Sequence, residues 1–233
     1  MEKTNMADQT DRRRFLGSLT AGAATLGLAT LFQPLQAGAN EIPGFNPDDA
    51  DAWFAKLKGR KHSIVFDSTE PNDIMPFAWP RVFLMTNEKT GTAAKDCGVV
   101  VVLRHASIGY ALPDELWAKY HLGDVFKAQD PETKQPSTRN PFWQPKAGAF
   151  KVPGIGEVQI GINELQASGV MFCVCNAALT VYSAVLGDMT KSSKDDVYKE
   201  LTAGVLPGIQ IVPSGVWAVG RAQENGCKYC FAG

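Results

Sequence analysis

Short apolar runs alternate with amphipathic segments along most of this chain. Five of the runs are rich in β-branched or aromatic side chains and are bounded by turn or charged residues, which is typical of buried strands. The predicted strands lie at residues 62–67, 98–103, 170–175, 209–212 and 227–231. The second run contains Val99, Val100, Val101 and Val102 and is apolar on both faces, as expected of a strand covered by helices on both sides.

Helical periodicity fills the intervals between these runs. We predict helices at residues 48–57, 79–90, 112–122, 157–167, 177–186, 193–202 and 216–224. Because strands and helices alternate, the pattern predicts a three-layer α/β/α domain around a five-stranded, mostly parallel sheet. The proline-rich residues 128–154 interrupt this rhythm, and a loop of this length acts as a lid, binds a partner or is simply mobile.

The first 39 residues have the character of an export signal. The run Arg12-Arg13-Arg14-Phe15-Leu16 precedes a mildly apolar stretch at residues 18–32 and a small-x-small cleavage site at residues 37–39. The segment resembles a twin-arginine (Tat) signal peptide. That resemblance implies passage through the Tat translocase into the periplasm, with no stable membrane anchor after cleavage. An uncleaved membrane anchor is the alternative.

The composition beyond that segment is that of an ordinary globular protein. Of the 233 residues, 45% are hydrophobic and 20% are charged, so we expect one domain with a sizeable core. We divide the chain into a signal peptide at residues 1–39, a linker with an N-terminal helix at 40–60, and the α/β domain at 61–233. The formal net charge of −1 gives no reason to expect binding to nucleic acid or to an anionic membrane surface.

All five cysteines lie beyond the predicted signal, and Cys173 and Cys175 share one predicted strand. Cys175 ends that strand, with Asn176 as the predicted N-cap of the next helix, at the edge where open α/β sheets hold ligands. The positive end of that helix favours a thiolate. The alternative is that both cysteines are small buried hydrophobes. Residues two apart in a strand face the same way with Cα atoms about 6.6 Å apart, which disfavours a disulfide between them.

Residues 164–233 contain a series of short motifs whose order is more informative than any one of them. In chain order the motifs are Gly169-Val170, Val174-Cys175-Asn176, Leu206-Pro207-Gly208, Val212-Pro213-Ser214-Gly215-Val216 and Gln223-Glu224-Asn225-Gly226. This order resembles the DsrE/DsrF-like family of sulfur-relay proteins. The likeness covers roughly residues 64–231, and Arg104-His105 after the second strand is similar to the family's strand that ends in histidine.

The resemblance implies a flavodoxin-like sheet of five parallel strands and assembly into a homotrimer or homohexamer. It also implies that Cys175 carries a persulfide between a sulfur donor and an acceptor protein, with no bound cofactor. It leaves open whether the protein is an enzyme or only a carrier. Three features depart from the family's pattern, namely the predicted export, the insertion at residues 128–154, and the carboxyl-terminal Cys227 and Cys230.

Four polar residues are candidates for the same site as Cys175. His105 ends the strand expected beside that of Cys175, where it would polarise the sulfur or bind an anion, or remain a solvated loop histidine. Arg104 and Asn176 are candidate ligand-binding residues. Ser214 offers a hydroxyl and nearby backbone N–H groups to an anionic ligand, or only caps a helix.

Cys227 and Cys230 have CxxC spacing but precede no helix, unlike a thioredoxin-type motif. A local disulfide is the first hypothesis and a metal site is the second. Two functions therefore stand beside the sulfur carrier. One is a structural or ligand-binding oligomer subunit with no covalent step, and the other is a redox or metal-binding protein that uses Cys227 and Cys230.

Overall fold

A computed structural model describes residues 47–233 of the protein. The predicted signal peptide and most of the predicted linker lie outside the described residues. Among the described residues, no helix is both long and apolar enough to cross a membrane.

In residues 47–233, seven strands form a five-stranded sheet and a separate two-stranded hairpin. The strands are β1 (His62–Ser68), β2 (Cys97–Leu103), β3 (Lys151–Val152), β4 (Gly156–Glu157), β5 (Val170–Cys175), β6 (Ile209–Val212) and β7 (Lys228–Phe231). The large sheet has the order β6-β5-β2-β1-β7, and every neighbouring pair in it is parallel. The short strands β3 and β4 form an antiparallel hairpin.

The α-helices fall between these strands along the chain. They are α1 (Pro47–Ala55), α2 (Met75–Lys89), α3 (Asp114–Tyr120), α4 (Leu122–Val125), α5 (Ile162–Ala167), α6 (Asn176–Thr190), α7 (Lys194–Ala203) and α8 (Gly215–Glu224). Two 3₁₀ helices, Ala94–Asp96 and His105–Ala111, flank β2.

The predicted three-layer α/β/α fold with a five-stranded sheet is confirmed, and the sheet is wholly parallel. The strand order differs from that of flavodoxin, whose first strand lies between the second and the third. Here β1 lies between β2 and β7, the last strand. The likeness to flavodoxin therefore covers the layers and the parallel sheet but not the strand order.

The two faces of the sheet carry separate hydrophobic clusters. In β2, Val99 and Val101 belong to the larger core cluster, which also contains residues of α2, α5, α6 and α7. Val100 and Val102 belong to the smaller core cluster, which contains residues of α1 and α8. All four valines are buried, which is why this strand is apolar at every position.

Three helices differ from the prediction in their start or their continuity, and α6 ends at Thr190, four residues after its predicted end. Helix α2 begins at Met75, a turn before the predicted start at residue 79, because Pro76 rather than Pro80 lies in its first turn. The segment predicted as one helix at residues 112–122 is two short helices, because His121 adopts a left-handed conformation (φ 50°) between them. The helix predicted at residues 157–167 is confined to α5, which begins where Glu164 accepts a hydrogen bond from the Gly161 N–H at 2.8 Å.

The insertion at residues 128–154 packs into the larger core cluster through its middle. Asn140 is 1% exposed, and its side-chain amide donates hydrogen bonds to the backbone carbonyls of Tyr110 (2.8 Å) and Leu112 (2.9 Å). The ring of Phe142 stacks on that of Phe77 from α2, with centroids 4.1 Å apart. The middle of this segment is therefore part of the core rather than a lid over a site.

Candidate functional site

The strand order brings the carboxyl ends of neighbouring strands together at one edge of the sheet. Leu103 pairs with Val174, so Arg104 lies beside Cys175 at the ends of β2 and β5. Cys175 in turn pairs with Val212, two residues before Ser214. Helix α6 follows β5 on the face of the larger cluster, whereas α8 follows β6 on the face of the smaller cluster. Such a switch point between neighbouring strands is where open α/β sheets bind ligands.

Cys175 is both the last residue of β5 and the N-cap of α6. Its Sγ accepts a hydrogen bond from the Ala178 N–H at 3.3 Å. The prediction that Asn176 is the N-cap is therefore wrong, because the sulfur itself takes that role. Asn176 is the first residue of the helix, and its side-chain oxygen accepts a 2.6 Å hydrogen bond from the Tyr198 hydroxyl. Cys175 is buried, with 6% of the residue exposed.

The two cysteines of β5 pack in different places. Cys173 is fully buried in the smaller core cluster, and burial raises the pKa of its thiol far above the usual range. Cys175 packs with the larger core cluster instead. The expectation that the two side chains face the same way is not met, because the side-chain alternation of the strand ends where α6 begins. Cys173 is thus a packing residue, which agrees with the alternative that it is a small buried hydrophobe.

Arg104 forms a two-point ion pair with Asp67 at the end of β1. Its Nε and Nη2 donate to the two carboxylate oxygens of Asp67 at 2.6 and 2.9 Å. This hydrogen bonding raises the pKa of Arg104, and the charges of Asp67, Tyr229 and Cys175 add to the effect.

Two neighbours complete the surroundings of this ion pair. The hydroxyl of Tyr229 from β7 donates to the second carboxylate oxygen of Asp67 at 3.0 Å. A Cβ atom on Gly215, at the start of α8, would lie 2.5 Å from the Cβ of Arg104, so the arginine stem crosses α8 where only glycine leaves room. We call Asp67, Arg104, Cys175, Ser214 and Tyr229 the carboxyl-edge site.

Asp67 and Tyr229 were not among the residues predicted from the sequence. The position of Asp67 at the end of the first apolar run was an available signal, because parallel strands present such side chains at a common edge. Tyr229 lies inside β7 and carried no comparable signal. Only the pairing of β7 with β1 brings its hydroxyl to Asp67.

His105 and Ser214 have local roles beside this site. The prediction that the strand before His105 neighbours that of Cys175 is confirmed. The His105 ring is exposed, lies edge-on to Tyr182 with centroids 6.2 Å apart, and has no hydrogen bond to Cys175 in the described part of the chain. The Ser214 hydroxyl caps α8, where it accepts a 3.2 Å hydrogen bond from the Trp217 N–H.

Cys227 and Cys230 are free thiols and do not form the predicted disulfide. Residues three apart in an extended segment point to opposite faces. Accordingly, Cys227 packs in the smaller core cluster and Cys230 against the larger one. Burial raises the pKa of Cys227 to about 12. Within residues 47–233, no three His, Cys, Asp or Glu side chains come together as a metal site would require.

No family model matches this chain. A search of curated proteins also finds no match. Among solved structures, the chain is similar to MTH1491 from Methanobacterium thermoautotrophicum, a protein of unknown function. The two are 16% identical with a TM-score of 0.37, over 73% of this chain and 99% of the other. A likeness this distant carries no information about activity.

Proposed function

We propose that this protein carries sulfane sulfur as a persulfide on Cys175. The observation that supports the proposal best is the position of that sulfur, at the switch point between β5 and β6 and at the N-terminus of a 15-residue helix. The order of sequence motifs that resembles the DsrE/DsrF-like proteins points to the same cysteine. The bidentate pair of Arg104 with Asp67 places a fixed cation beside it.

The proposed transfer needs a donor that is itself a persulfide. The Cys175 thiolate attacks the outer sulfur of the donor, a new S–S bond forms, and the donor's own S–S bond breaks. The bonding electrons leave with the donor, which departs as a thiolate. The outer sulfur and its proton stay on Cys175, so no external oxidant or reductant is needed. Transfer to an acceptor thiol repeats the same exchange.

The groups around Cys175 suit an anionic ligand. The Ala178 N–H in the first turn of α6 donates a hydrogen bond to the sulfur. In the described part of the chain, the side chain of Arg104 donates only through Nε and Nη2, both to Asp67, which leaves its Nη1 group available to an approaching ligand. A terminal persulfide sulfur or an anionic donor group is stabilised by the same donors.

Intact-protein mass spectrometry after incubation with a small-molecule persulfide tests this proposal. We expect an adduct of about 32 Da, one sulfur atom, that is lost on reduction and is absent from Cys175→Ser. The matched control is Cys230→Ser, since Cys230 is the one of the five cysteines that is not buried. An adduct that persists in Cys175→Ser, or that disappears only in Cys230→Ser, would contradict a carrier role for Cys175.

The low exposure of Cys175 favours a second candidate function, a binding module with no covalent step. In that case Arg104 and the N-terminus of α8 hold an anionic sulfur compound, and the sulfur of Cys175 serves only as a helix cap. Calorimetric titration with thiosulfate distinguishes the two functions. Binding retained in Cys175→Ser, together with no adduct in the wild type, supports the binding module.

We also propose that the protein is exported through the Tat translocase and works in the periplasm as a homotrimer or homohexamer. The support is the paired arginines of the N-terminal segment and the family resemblance. Replacing both Arg12 and Arg13 by Lys should abolish appearance in the periplasm. Light scattering of the purified protein measures the assembly, and a monomer at micromolar concentration would contradict it.

A further inference from the structure

An apolar groove runs along α2, on the sheet face that carries the larger core cluster. One wall is the outer side of α2, and the other is formed by the β3–β4 hairpin and the segment after it. The groove has a volume of about 290 Å³ and is lined mainly by apolar side chains, including Trp79, Val82, Met85, Ile155 and Val158. It shares no residue with the carboxyl-edge site, so the inference drawn from it is independent of the proposed sulfur chemistry.

The apolar lining of this α2 groove is unusually open to solvent. Trp79 is 41% exposed, Val82 is 38% exposed and Ile155 is 56% exposed. These three are among the eight large hydrophobic side chains that are exposed in the described part of the chain, and they converge on one groove. Convergence of exposed apolar side chains in a concave site marks a binding surface.

The charges in the α2 groove are all of one sign. Its lining contains Arg81 and Lys89 and no carboxylate. Neither side chain forms an ion pair within the described residues, and Lys89, at the end of α2, also has no hydrogen bond from its side chain there. Arg81 is held by neutral oxygens of Gln159 (2.6 Å), Ser168 (3.1 Å) and Glu164, whose backbone carbonyl lies at 3.4 Å.

Arg81 is the more buried of the two cations in the groove. Burial lowers the pKa of its guanidinium, and the opposing effect of the nearby Glu164 charge is smaller. The exposed Lys89 at the end of α2 is therefore the cation that remains open to an anionic head group.

The dimensions of the groove restrict the ligand to a narrow one. Its volume lies at the lower end of the roughly 300–1,000 Å³ of small-molecule pockets. The lining follows α2 from Ile74 to Lys89, along a 15-residue helix of about 22 Å. A long and narrow apolar groove with a cation at one end suits a single alkyl chain with an anionic head.

We propose that the α2 groove binds a single-chain amphiphile with an anionic head group, such as a medium-chain carboxylate. The alkyl chain lies between Trp79, Val82 and Ile155, and the head group lies beside Lys89. Burial of the chain supplies the affinity. The free cation at the end of the helix supplies the preference for a negative head.

Isothermal titration of the purified full chain with decanoate below its micelle concentration tests the proposal. We expect saturable binding of one decanoate per chain, weakened about tenfold or more by Val82→Glu, which places a carboxylate in the groove. The matched control is Val181→Glu, on an exposed valine of α6 outside the groove, which should leave the affinity unchanged. Ile155→Glu, in the exposed hairpin, provides a second groove variant if Val82→Glu fails to fold.

The head-group preference has its own measurement. Lys89→Gln should weaken decanoate binding about two- to fivefold and leave the affinity for decanol unchanged. Decylamine that binds as tightly as decanoate would overturn the anionic head. Absence of saturable binding, or an equal effect of a groove variant and Val181→Glu, would overturn the site itself. Binding to anionic phospholipid vesicles but not to decanoate would overturn it in favour of a membrane surface.

Discussion

Arg104 is fixed at the carboxyl edge by groups from several elements. The carboxylate of Asp67 accepts two of its side-chain hydrogen bonds, Gly215 leaves room for its stem, and the Ser107 hydroxyl accepts its backbone N–H at 3.0 Å. A guanidinium held in this way keeps one orientation, at the end of the strand that pairs with that of Cys175. A ligand that reaches the sulfur therefore meets a positioned cation rather than a mobile one.

The close approach of the Arg104 stem to Gly215 can be tested through the free energy of unfolding. We expect Gly215→Ala to lower the free energy of unfolding by about 1–3 kcal/mol, because the new methyl group would overlap the stem of Arg104. The control is Gly220→Ala in the same helix, where nothing lies within 4 Å of the added Cβ. That variant should raise the free energy of unfolding by about 0.5–1 kcal/mol, since alanine favours helix. Urea denaturation measures both, and equal effects would contradict the close contact.

The buried carboxylate of Asp67 should contribute more to the free energy of unfolding than an exposed carboxylate does. Asp67→Asn removes the charge that compensates Arg104, and we expect a loss of about 2 kcal/mol in the free energy of unfolding. The control is Asp96→Asn, whose carboxylate lies 4.0 Å from Lys61 at the surface. That loss should be about 0–0.5 kcal/mol. A similar loss in the two variants would show that the Arg104 pair contributes no more than a surface pair.

At the scale of elements, the insertion at residues 128–154 is the main departure from a regular alternation of strands and helices. Its Phe142 lies between Phe77 of α2 and Phe150, with ring centroids at 4.1 and 5.1 Å. The segment therefore joins the core through stacked aromatic rings and through the buried amide of Asn140. Its backbone needs no regular structure to do so, because side chains supply the contacts.

The role of the insertion in the core can be tested with one aromatic side chain. Phe142→Ala should lower the free energy of unfolding by about 3–5 kcal/mol, because the ring is 1% exposed and leaves a cavity. Ile155→Ala, in the exposed β3–β4 hairpin at the end of the insertion, should change it by less than about 0.5 kcal/mol. If Phe142→Ala were as mild as Ile155→Ala, the insertion would not be part of the cooperative core.

At the scale of the whole molecule, two core clusters on opposite faces of one parallel sheet hold the fold together. The smaller cluster contains two free cysteines, Cys173 and Cys227, and burial raises the pKa of both thiols. An unfolded chain ionises such thiols from a pH of about 8.5, whereas the folded protein keeps them neutral. Their burial therefore stabilises the protein at neutral pH, and this contribution declines as the pH rises.

The alkaline loss of stability should be traceable to Cys227. Because its pKa in the fold is about 12, its contribution is complete below a pH of about 8.5 and falls between there and 12. Between pH 7 and 10 we expect the wild type to lose up to about 2 kcal/mol more free energy of unfolding than Cys227→Ala does. The part-exposed Cys230→Ala should follow the wild type. Parallel pH profiles for Cys227→Ala and the wild type would refute the assignment.

The strands and the class of fold follow from the amino-acid sequence alone. The run predicted at residues 98–103 forms β2 at Cys97–Leu103, because a strand buried on both faces excludes polar side chains along its length. The sequence also identified Cys175 and Arg104 as candidates, because strand ends in an alternating α/β chain gather at one edge. The starts of α2 and α5 were misplaced because proline and capping side chains near each start set the boundary.

Which side chains meet depends on the tertiary structure. The order β6-β5-β2-β1-β7 brings Asp67 to Arg104, 37 residues away in the chain, and Tyr229 to Asp67, 162 residues away. Cys227 and Cys230 lie on opposite faces of the sheet and do not form the predicted disulfide. These contacts depend on pairing between strands that are distant in the chain. Hydrophobic periodicity shows only on which face of its helix or strand each residue lies.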